Sequence, residues 1–233
     1  MNAVRSTRVI ADVHGCVDMF QEAVAGADNL ILLGDLVDRG PDSPGCLRLA
    51  LDLIEAGRAQ MVRSNHDDKL FRALKGAKVV IGAKLEKTLA DLRAASDADE
   101  LTERFMSTFP TLPFVIPMDD YVMAHGAISA SYFRSVDPES DAPRIAEHMA
   151  LYGEVDGTVD DRGKPIRHYN WVDALPAGKT AIVGHDRRDG DRVFVQTGAR
   201  GGRAFFMDTG CGKGGPLSYI DLPSERIGQV PAN

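Results

Sequence analysis

Short apolar runs alternate with amphipathic stretches through the first third of the chain. Residues 8–11 predict a strand, and residues 17–25 a helix entered behind Gly15. Residues 29–37 predict a second strand. After Pro41, the residues Leu47, Leu49, Ala50, Leu53 and Ile54 mark the apolar face of a helix that stops at Gly57. A third strand is expected at 59–62 and a helix at 67–74, closed by Gly76. Strands and helices alternating at this interval imply α/β layers with parallel strand pairs.

From residue 78 to 109 the spacing turns helical, through Leu85, Leu89 and Leu92 and then Leu101, Phe105 and Phe109, with the polar segment 96–100 between. Residues 77–110 are therefore expected to form a helical excursion from the sheet, walling one side of a site mouth. A hairpin comes next, with strands at 114–116 and 121–124 about Asp119-Asp120. Residues 130–175 show little regular pattern beyond a helix at 142–152. Further strands are expected at 180–183, 192–195, 204–207 and 217–222, the last closing the sheet. No linker divides the 233 residues, so one domain spanning 1–233 is expected.

Composition narrows the classes. The hydrophobic fraction of 44% and charged fraction of 26% suit an ordinary globular protein. No apolar run approaches the roughly 18 residues a membrane span needs. The opening residues reach the first strand too quickly for a secretory leader, and a cytoplasmic location is expected. Cys16, Cys46 and Cys211 are odd in number and lack paired spacing, which fits a reducing compartment and argues against a disulfide scaffold or a zinc knuckle. A net charge of −7 argues against a grip on a long nucleic-acid duplex, which needs a basic stripe. A nucleotide, a nucleic-acid end or a phosphoprotein stays open.

The polar residues at the strand ends carry the chemistry. Asp12-Val-His14 follows the first strand, Gly34-Asp35 and then Asp38-Arg39-Gly40 the second, and Asn65-His66 the third. His125-Gly126 ends the hairpin, Gly184-His185 ends the strand at 180–183, and Asp208-Thr-Gly210 the strand at 204–207. In open α/β sheets ligands bind at the carboxyl ends of strands. A lone Asp-x-His is a weak signal, and an isolated histidine is more often a hydrogen-bonded core or surface residue; His148 and His168 are read that way. Asp38 alone reads equally as a helix cap and Arg39 as a surface charge. The other four histidines, each beside a glycine or Asn65 at an apolar run's end, do not follow from composition. Mixed nitrogen and oxygen donors without thiolate suit Mn, Fe or Zn. Two such ions about 3.5–4 Å apart, sharing a carboxylate, suit in-line displacement at phosphorus.

Asp12-Val-His-Gly15, Gly34-Asp-Leu-Val-Asp-Arg-Gly40, Asn65-His-Asp67, His125-Gly126 and Gly184-His185 resemble the ordered motifs of the calcineurin-like metallophosphoesterases. Asp38-Arg39-Gly40 is the form seen in the serine/threonine phosphoprotein phosphatase (PPP) branch. Residues 64–76, Leu151-Tyr-Gly-Glu154, Tyr169-Asn-Trp171 and Asp208-Thr-Gly-Cys211 are most similar to the phosphatase domain of bacterial polynucleotide kinase-phosphatase, an RNA-repair enzyme. The resemblance implies a layered α/β/β/α sandwich with mixed sheets. It also implies a phosphomonoesterase with a two-metal in-line mechanism that extends to 2′,3′-cyclic nucleotides or RNA-end phosphates. The alternatives are a phosphoprotein phosphatase and a symmetrical dinucleoside tetraphosphatase. The substrate would be a phosphorylated small molecule, a nucleotide or RNA end, or a phosphoprotein.

The resemblance further implies roles. Asp12, His14 and Asp35 would hold one divalent ion, and Asp35, Asn65, His125 and His185 the second, with Mn2+ first and Fe, Zn, Ni or Co as alternatives. Arg39 would bind phosphate oxygens, His66 would protonate the leaving oxygen, Asp38 would orient His66, and Asp208 would act in the same site. Lys69 and Arg72, one turn after His66, would line the substrate rim, with a solvated helix face as the equal alternative. Arg187 stands where many relatives place a further histidine and is a candidate for the substrate. Two departures from the pattern stand out. Ser64 replaces the usual glycine, which implies strain if that position needs a positive φ. Asp186 follows His185, where it would either brace a ligand or repel phosphate. The arginines of segment 186–203 would read an extended anion or keep the loop soluble.

Overall fold

A computed structural model of the chain describes residues 6–134 and 140–232. Residues 1–5, which bear on the leader expectation, lie outside the described residues, as do 135–139 in the stretch expected to be irregular.

The elements run in order as β1 (Thr7–Ile10), α1 (Val17–Val24), β2 (Asn29–Leu32), α2 (Ser43–Glu55), β3 (Ala59–Met61), α3 (Asn65–Leu74), α4 (Ala83–Ala94) and α5 (Ala98–Thr108). They continue with β4 (Val115–Met118), β5 (Tyr121–Ala124), α6 (Ala142–Tyr152), β6 (Glu154–Val159), β7 (Pro165–His168) and α7 (Asn170–Asp173). The last are β8 (Thr180–Val183), β9 (Phe194–Thr197), β10 (Arg203–Phe206), β11 (Leu217–Leu222) and β12 (Arg226–Val230).

Two mixed five-stranded sheets, ordered β12-β11-β1-β2-β3 and β4-β5-β8-β10-β9, form the two inner layers. β1, β2 and β3 are mutually parallel, as are β5, β8 and β10. Each of the six therefore delivers the loop at its end to a carboxyl edge. Met123, Ile182 and Phe205 of the second sheet share one buried cluster with Val9, Ile10, Ile31 and Leu32 of the first. The α/β sandwich with mixed sheets and a helical insertion is thus the observed architecture.

The insertion is built into the body. Leu85, Leu89 and Leu92 of α4, Leu101 and Phe105 of α5, and Phe109 are all buried in the first sheet's core cluster. Each such side chain contributes about 1.5–3 kcal/mol by leaving water. Paired hydrogen bonds from Arg48 to Asp97 (2.7 and 2.6 Å) tie the connection into α5 to α2. Arg104 in turn reaches Asp52 (2.6 Å) and Glu55 (2.9 Å).

One strand end and two unpredicted strand elements depart from the sequence reading for identifiable reasons, beyond shifts of about two residues such as that of β9. β2 stops at Leu32, not at 37, because Gly34 (φ 89°) and Asp35 (φ 49°) turn the chain into left-handed backbone. The hairpin β6–β7 forms in a stretch whose sequence predicts no strands; β6 runs along an exposed surface, so no apolar alternation marks it. β12 is likewise largely exposed and adds an edge strand beyond β11, which does not close its sheet. Among the described residues no helix is long and apolar enough to cross a membrane.

Candidate metal centre

The loops after β1 and β2 are stitched into one scaffold. The N–H groups of Val13 and His14 both donate to Asp35 O (3.1 and 2.8 Å), Gly15 N–H donates to Leu36 O (2.8 Å), and Gly40 N–H donates to His14 O (2.8 Å). Gly40 is required there, since a Cβ would lie 2.3 Å from His14 O. His14, Asp35, Asp38, Arg39 and His185 all hold positive φ, between 48° and 72°. Such backbone costs non-glycine residues energy and collects at functional sites. Here it aims side chains from neighbouring loops at one point.

Asp35 lies at the centre. Its Oδ2 is 3.4 Å from His14 Nε2, and its Oδ1 is 3.5 Å from His125 Nε2. The two oxygens thus face different donor groups. On the first side, Asp12 Oδ2 is 3.9 Å from His14 Nε2, and the ligand-type atoms of His14, Asp35 and His66 fall within 4.8 Å of one another. On the second, Asp35, His125 and His185 form a matching group, and Asn65 Oδ1 sits 2.8 Å from His125 Nε2 and 2.9 Å from His185 Nδ1. Every residue expected to hold metal is therefore brought together.

The donor chemistry fits a divalent pair. His14 Nδ1 and His125 Nδ1 donate to Val37 O (2.9 Å) and Leu33 O (2.8 Å), which leaves each Nε2 lone pair facing Asp35. Burial pushes His14 down to about 3 and also lowers His125 and His185, so these rings stay neutral as ligands require. Burial opposes the charge of Asp35, and the surrounding imidazoles, His125 foremost, pull its carboxyl below the usual range only as far as they carry protons, a role that bound cations would take over. Asp12 is pushed up by burial and then by the charges of Asp208 and Asp35, a crowding of carboxylates that bound cations relieve. Asp208 Oδ2 is buried without a hydrogen-bond partner, while its Oδ1 accepts from Gly210 N–H at 2.8 Å. Gly184 permits this packing, since a Cβ there would lie 2.1 Å from Asp12 Oδ1.

The groups expected to act on substrate separate into two sets. His66 Nδ1 pairs with Asp38 Oδ2 at 2.5 Å, and Asp38 Oδ1 accepts from Thr88 Oγ1 of α4 at 2.7 Å. Burial lowers the pKa of His66, but Asp35 and the Asp38 hydrogen bond override it and raise the ring above its ordinary value. Arg39 contacts His14 Nε2, and its Nη2 lies 3.3 Å from His66 Nε2. Arg72 pairs loosely with Asp68 (3.7 Å) on an exposed helix face, Lys69 is half-buried on the same helix, and neither reaches the ligand atoms. Arg187 turns to Asp191 and to Gly190 O (2.8 Å), packing over Gly210 as a loop staple.

Ser64 is not strained. Its backbone is extended (φ −130°, ψ 164°), and its hydroxyl accepts from Asp35 N–H and donates to Asp67 Oδ2, both at 2.7 Å. The positive φ belongs to Gly34, which leaves room for the Ser64 side chain.

Two contributors escaped the sequence reading. Thr88 had a visible signal, a polar residue on the Leu85, Leu89, Leu92 face. Arg167 had none, because it lies in the unpatterned segment: its Nη2 is 2.8 Å from His185 Nε2 and its Nη1 is 3.7 Å from Asp186 Oδ1. Asp186 also accepts from Tyr169 Oη, so it braces Arg167. Arg188 is stacked 3.4 Å over Tyr169 and against Phe194 and Phe206, and Arg203 pairs with Glu225 (2.7 Å). These arginines of segment 186–203 are structural.

Residues 6–197 match the model of the calcineurin-like phosphoesterase family. The asymmetrical bis(5′-nucleosyl)-tetraphosphatase PrpE of Bacillus subtilis (strain 168) is 30% identical, aligned over 97% of this chain and 94% of its own length. That of Bacillus velezensis is 29% identical over 97% and 92%. A crystal structure assigned as a diadenosine tetraphosphatase superposes with a TM-score of 0.66 at 26% identity, covering 100% of this chain and 96% of the other. These matches overturn the assignment to the PPP branch and to polynucleotide kinase-phosphatase, and relate the chain to the PrpE branch. The physical reason lies in what the misleading motifs do. Glu154 Oε2 accepts from Trp171 N–H at 3.0 Å, tying the start of β6 to α7, and such braces report architecture and not substrate. With its fold, its paired donor clusters and a match across most of its length, the chain belongs to the calcineurin-like phosphoesterase family, as a metal-dependent phosphoesterase.

Proposed function

We propose that this chain hydrolyses a dinucleoside tetraphosphate, or a close nucleotide polyphosphate, by asymmetrical cleavage at a two-metal site. The observation that carries the reading is the Asp35 carboxylate, whose two oxygens face two separate donor groups. The PrpE relatives, aligned along nearly the whole chain, support the substrate class. The core shared by the two sheets supports treating residues 1–233 as one catalytic domain.

Asp12, His14 and Asp35 would hold one ion, and Asp35, Asn65, His125 and His185 the other, with Asp208 beside Asp12; manganese suits this nitrogen and oxygen set. When bound, the pair supplies Lewis acidity toward phosphoryl oxygens and lowers the pKa of water. The protein supplies the rest. Arg39 contacts the first donor group at His14 and Arg167 the second at His185, so each fork can hold non-bridging phosphate oxygens. His66, fixed by Asp38 and raised above its ordinary value by Asp35 and that hydrogen bond, would deliver a proton to the leaving oxygen. Thr88 holds the far oxygen of Asp38, so α4 sets the direction of that proton.

The test is hydrolysis of diadenosine tetraphosphate by the manganese-loaded protein with products separated by chromatography. AMP and ATP in equal amounts are expected. Two molecules of ADP would refute the asymmetrical cleavage, and no turnover would refute the substrate class.

A further inference from the structure

Past the candidate metal centre, the turn 210–215 carries a cation that the proposed chemistry does not use. Lys213 N–H and Gly215 N–H both donate to Gly210 O (2.8 and 3.0 Å), and Thr209 Oγ1 donates to Pro216 O (2.7 Å), so the turn is closed on itself. Gly212, at φ 72°, lets this turn lie on the first donor group: a Cβ there would meet His14 Cβ at 2.7 Å and Arg39 Cβ at 3.2 Å. The next residue, Lys213, is held beside Arg39 with its side chain exposed. Its ammonium is in electrostatic reach of Arg39, Asp208, Asp12 and Lys84, the last exposed in the first turn of α4. Among the described residues neither Lys84 nor Lys213 has a salt bridge or a side-chain hydrogen bond.

Surface lysines are ordinarily free, but Lys213 lies within electrostatic reach of both Lys84 and Arg39 at the edge of the first donor group, whose carboxylates Asp12 and Asp208 would be engaged by bound cations. Like charges so placed repel one another until an anion lies among them. A single phosphate held at the metal-loaded donor groups and Arg39 would leave the two lysines without a counter-charge. We propose that Lys213, together with Lys84, receives the second and third phosphates of a polyphosphate chain and makes the site selective for chain length. The inference rests on the reading of the donor groups as the phosphate site. It adds a residue that acts on the part of the substrate outside the reacting phosphoryl group.

The test is calorimetric binding to the manganese-loaded protein of AMP and of α,β-methylene-ADP, which cannot be cleaved at its bridge. Wild type should bind the diphosphate more tightly than AMP. Lys213→Met should lose about tenfold in diphosphate affinity, the scale of one charge-assisted contact, with AMP changed less than about twofold. Lys213→Arg should keep the preference. Equal loss for both ligands, or no loss for either, would overturn the proposal. Because this is a binding difference, failure to cleave diadenosine tetraphosphate bears on the proposed reaction and leaves this comparison to stand by itself. A melting temperature matching wild type shows that Lys213→Met is folded.

Discussion

Ser64→Ala tests the scaffold beneath the candidate metal centre. The hydroxyl serves two buried groups at once, Asp35 N–H and the Asp67 carboxylate, each at 2.7 Å. Removing it strands Asp35 N–H and leaves the Asp67 carboxylate with Leu36 N–H alone (3.0 and 3.2 Å). An unsatisfied buried polar group costs about 1–3 kcal/mol and a lost hydrogen bond about 1 kcal/mol, so the variant should lose about 2–4 kcal/mol. For a chain of this size that lowers the melting temperature by about 4–16 °C. The loss should also depend on pH. Burial, then the charge of Asp35, pushes Asp67 up to about 7, while the Ser64 hydrogen bond pulls it down. A carboxyl with a raised native pKa binds more protons folded than unfolded, so its contribution falls as pH rises from its unfolded value of about 3.9 through its native one. Without Ser64 the native value rises further, and the gap to wild type should widen from pH 5 to pH 8. Urea unfolding of metal-free protein, followed by the fluorescence of the single, buried Trp171, measures this directly. A change below about 0.5 kcal/mol, or a gap that does not widen with pH, would refute the argument.

His66→Asn should cut kcat by about 10²–10⁴ on an alkyl phosphomonoester and by less on diadenosine tetraphosphate, whose phosphate leaving group needs less protonation; metal content should hold. Asp35→Ala removes the carboxylate facing both donor groups, so elemental analysis should find both ions lost; full two-metal stoichiometry would disprove the bridge. Asp221→Asn should destabilise the fold at pH 7, where Arg8, then Arg226, holds the carboxyl below its usual range (2.7 and 3.1 Å). A lowered native pKa stabilises above the unfolded value and the benefit fades as pH falls through the native one, so thermal melts of the two proteins should converge as pH falls below the usual carboxylate range.

Much of this scaffold is legible from residue order. β8 and β11 fall at the residues their apolar runs mark, and α6 matches its periodicity. An apolar strand closed by glycine and an acid or histidine is a local signal, because the strand and the left-handed turn that ends it are both encoded within a few residues. Asn65, which follows Ser64, is marked only by its neighbour His66, but the other five of the six metal-ligand candidates carry that signal. The hairpin β6–β7 and the edge strand β12 do not, because largely exposed strands are held by backbone pairing that leaves no hydrophobic period.

Residue order alone dictates the chemistry at the strand ends and the α/β layering that brings such ends to one edge. Packing in three dimensions decides the rest. Asp35 and His125 are 90 residues apart in order, yet their 3.5 Å approach makes Asp35 the shared carboxylate. Packing also makes Ser64 a polar brace and sets Asp186 to serve Arg167. Arg187 is turned to its own loop, and Arg167 emerges from an unpatterned segment to meet His185. An arginine's role depends on which carboxylates and rings surround it, and those partners come from distant segments that only packing brings within reach.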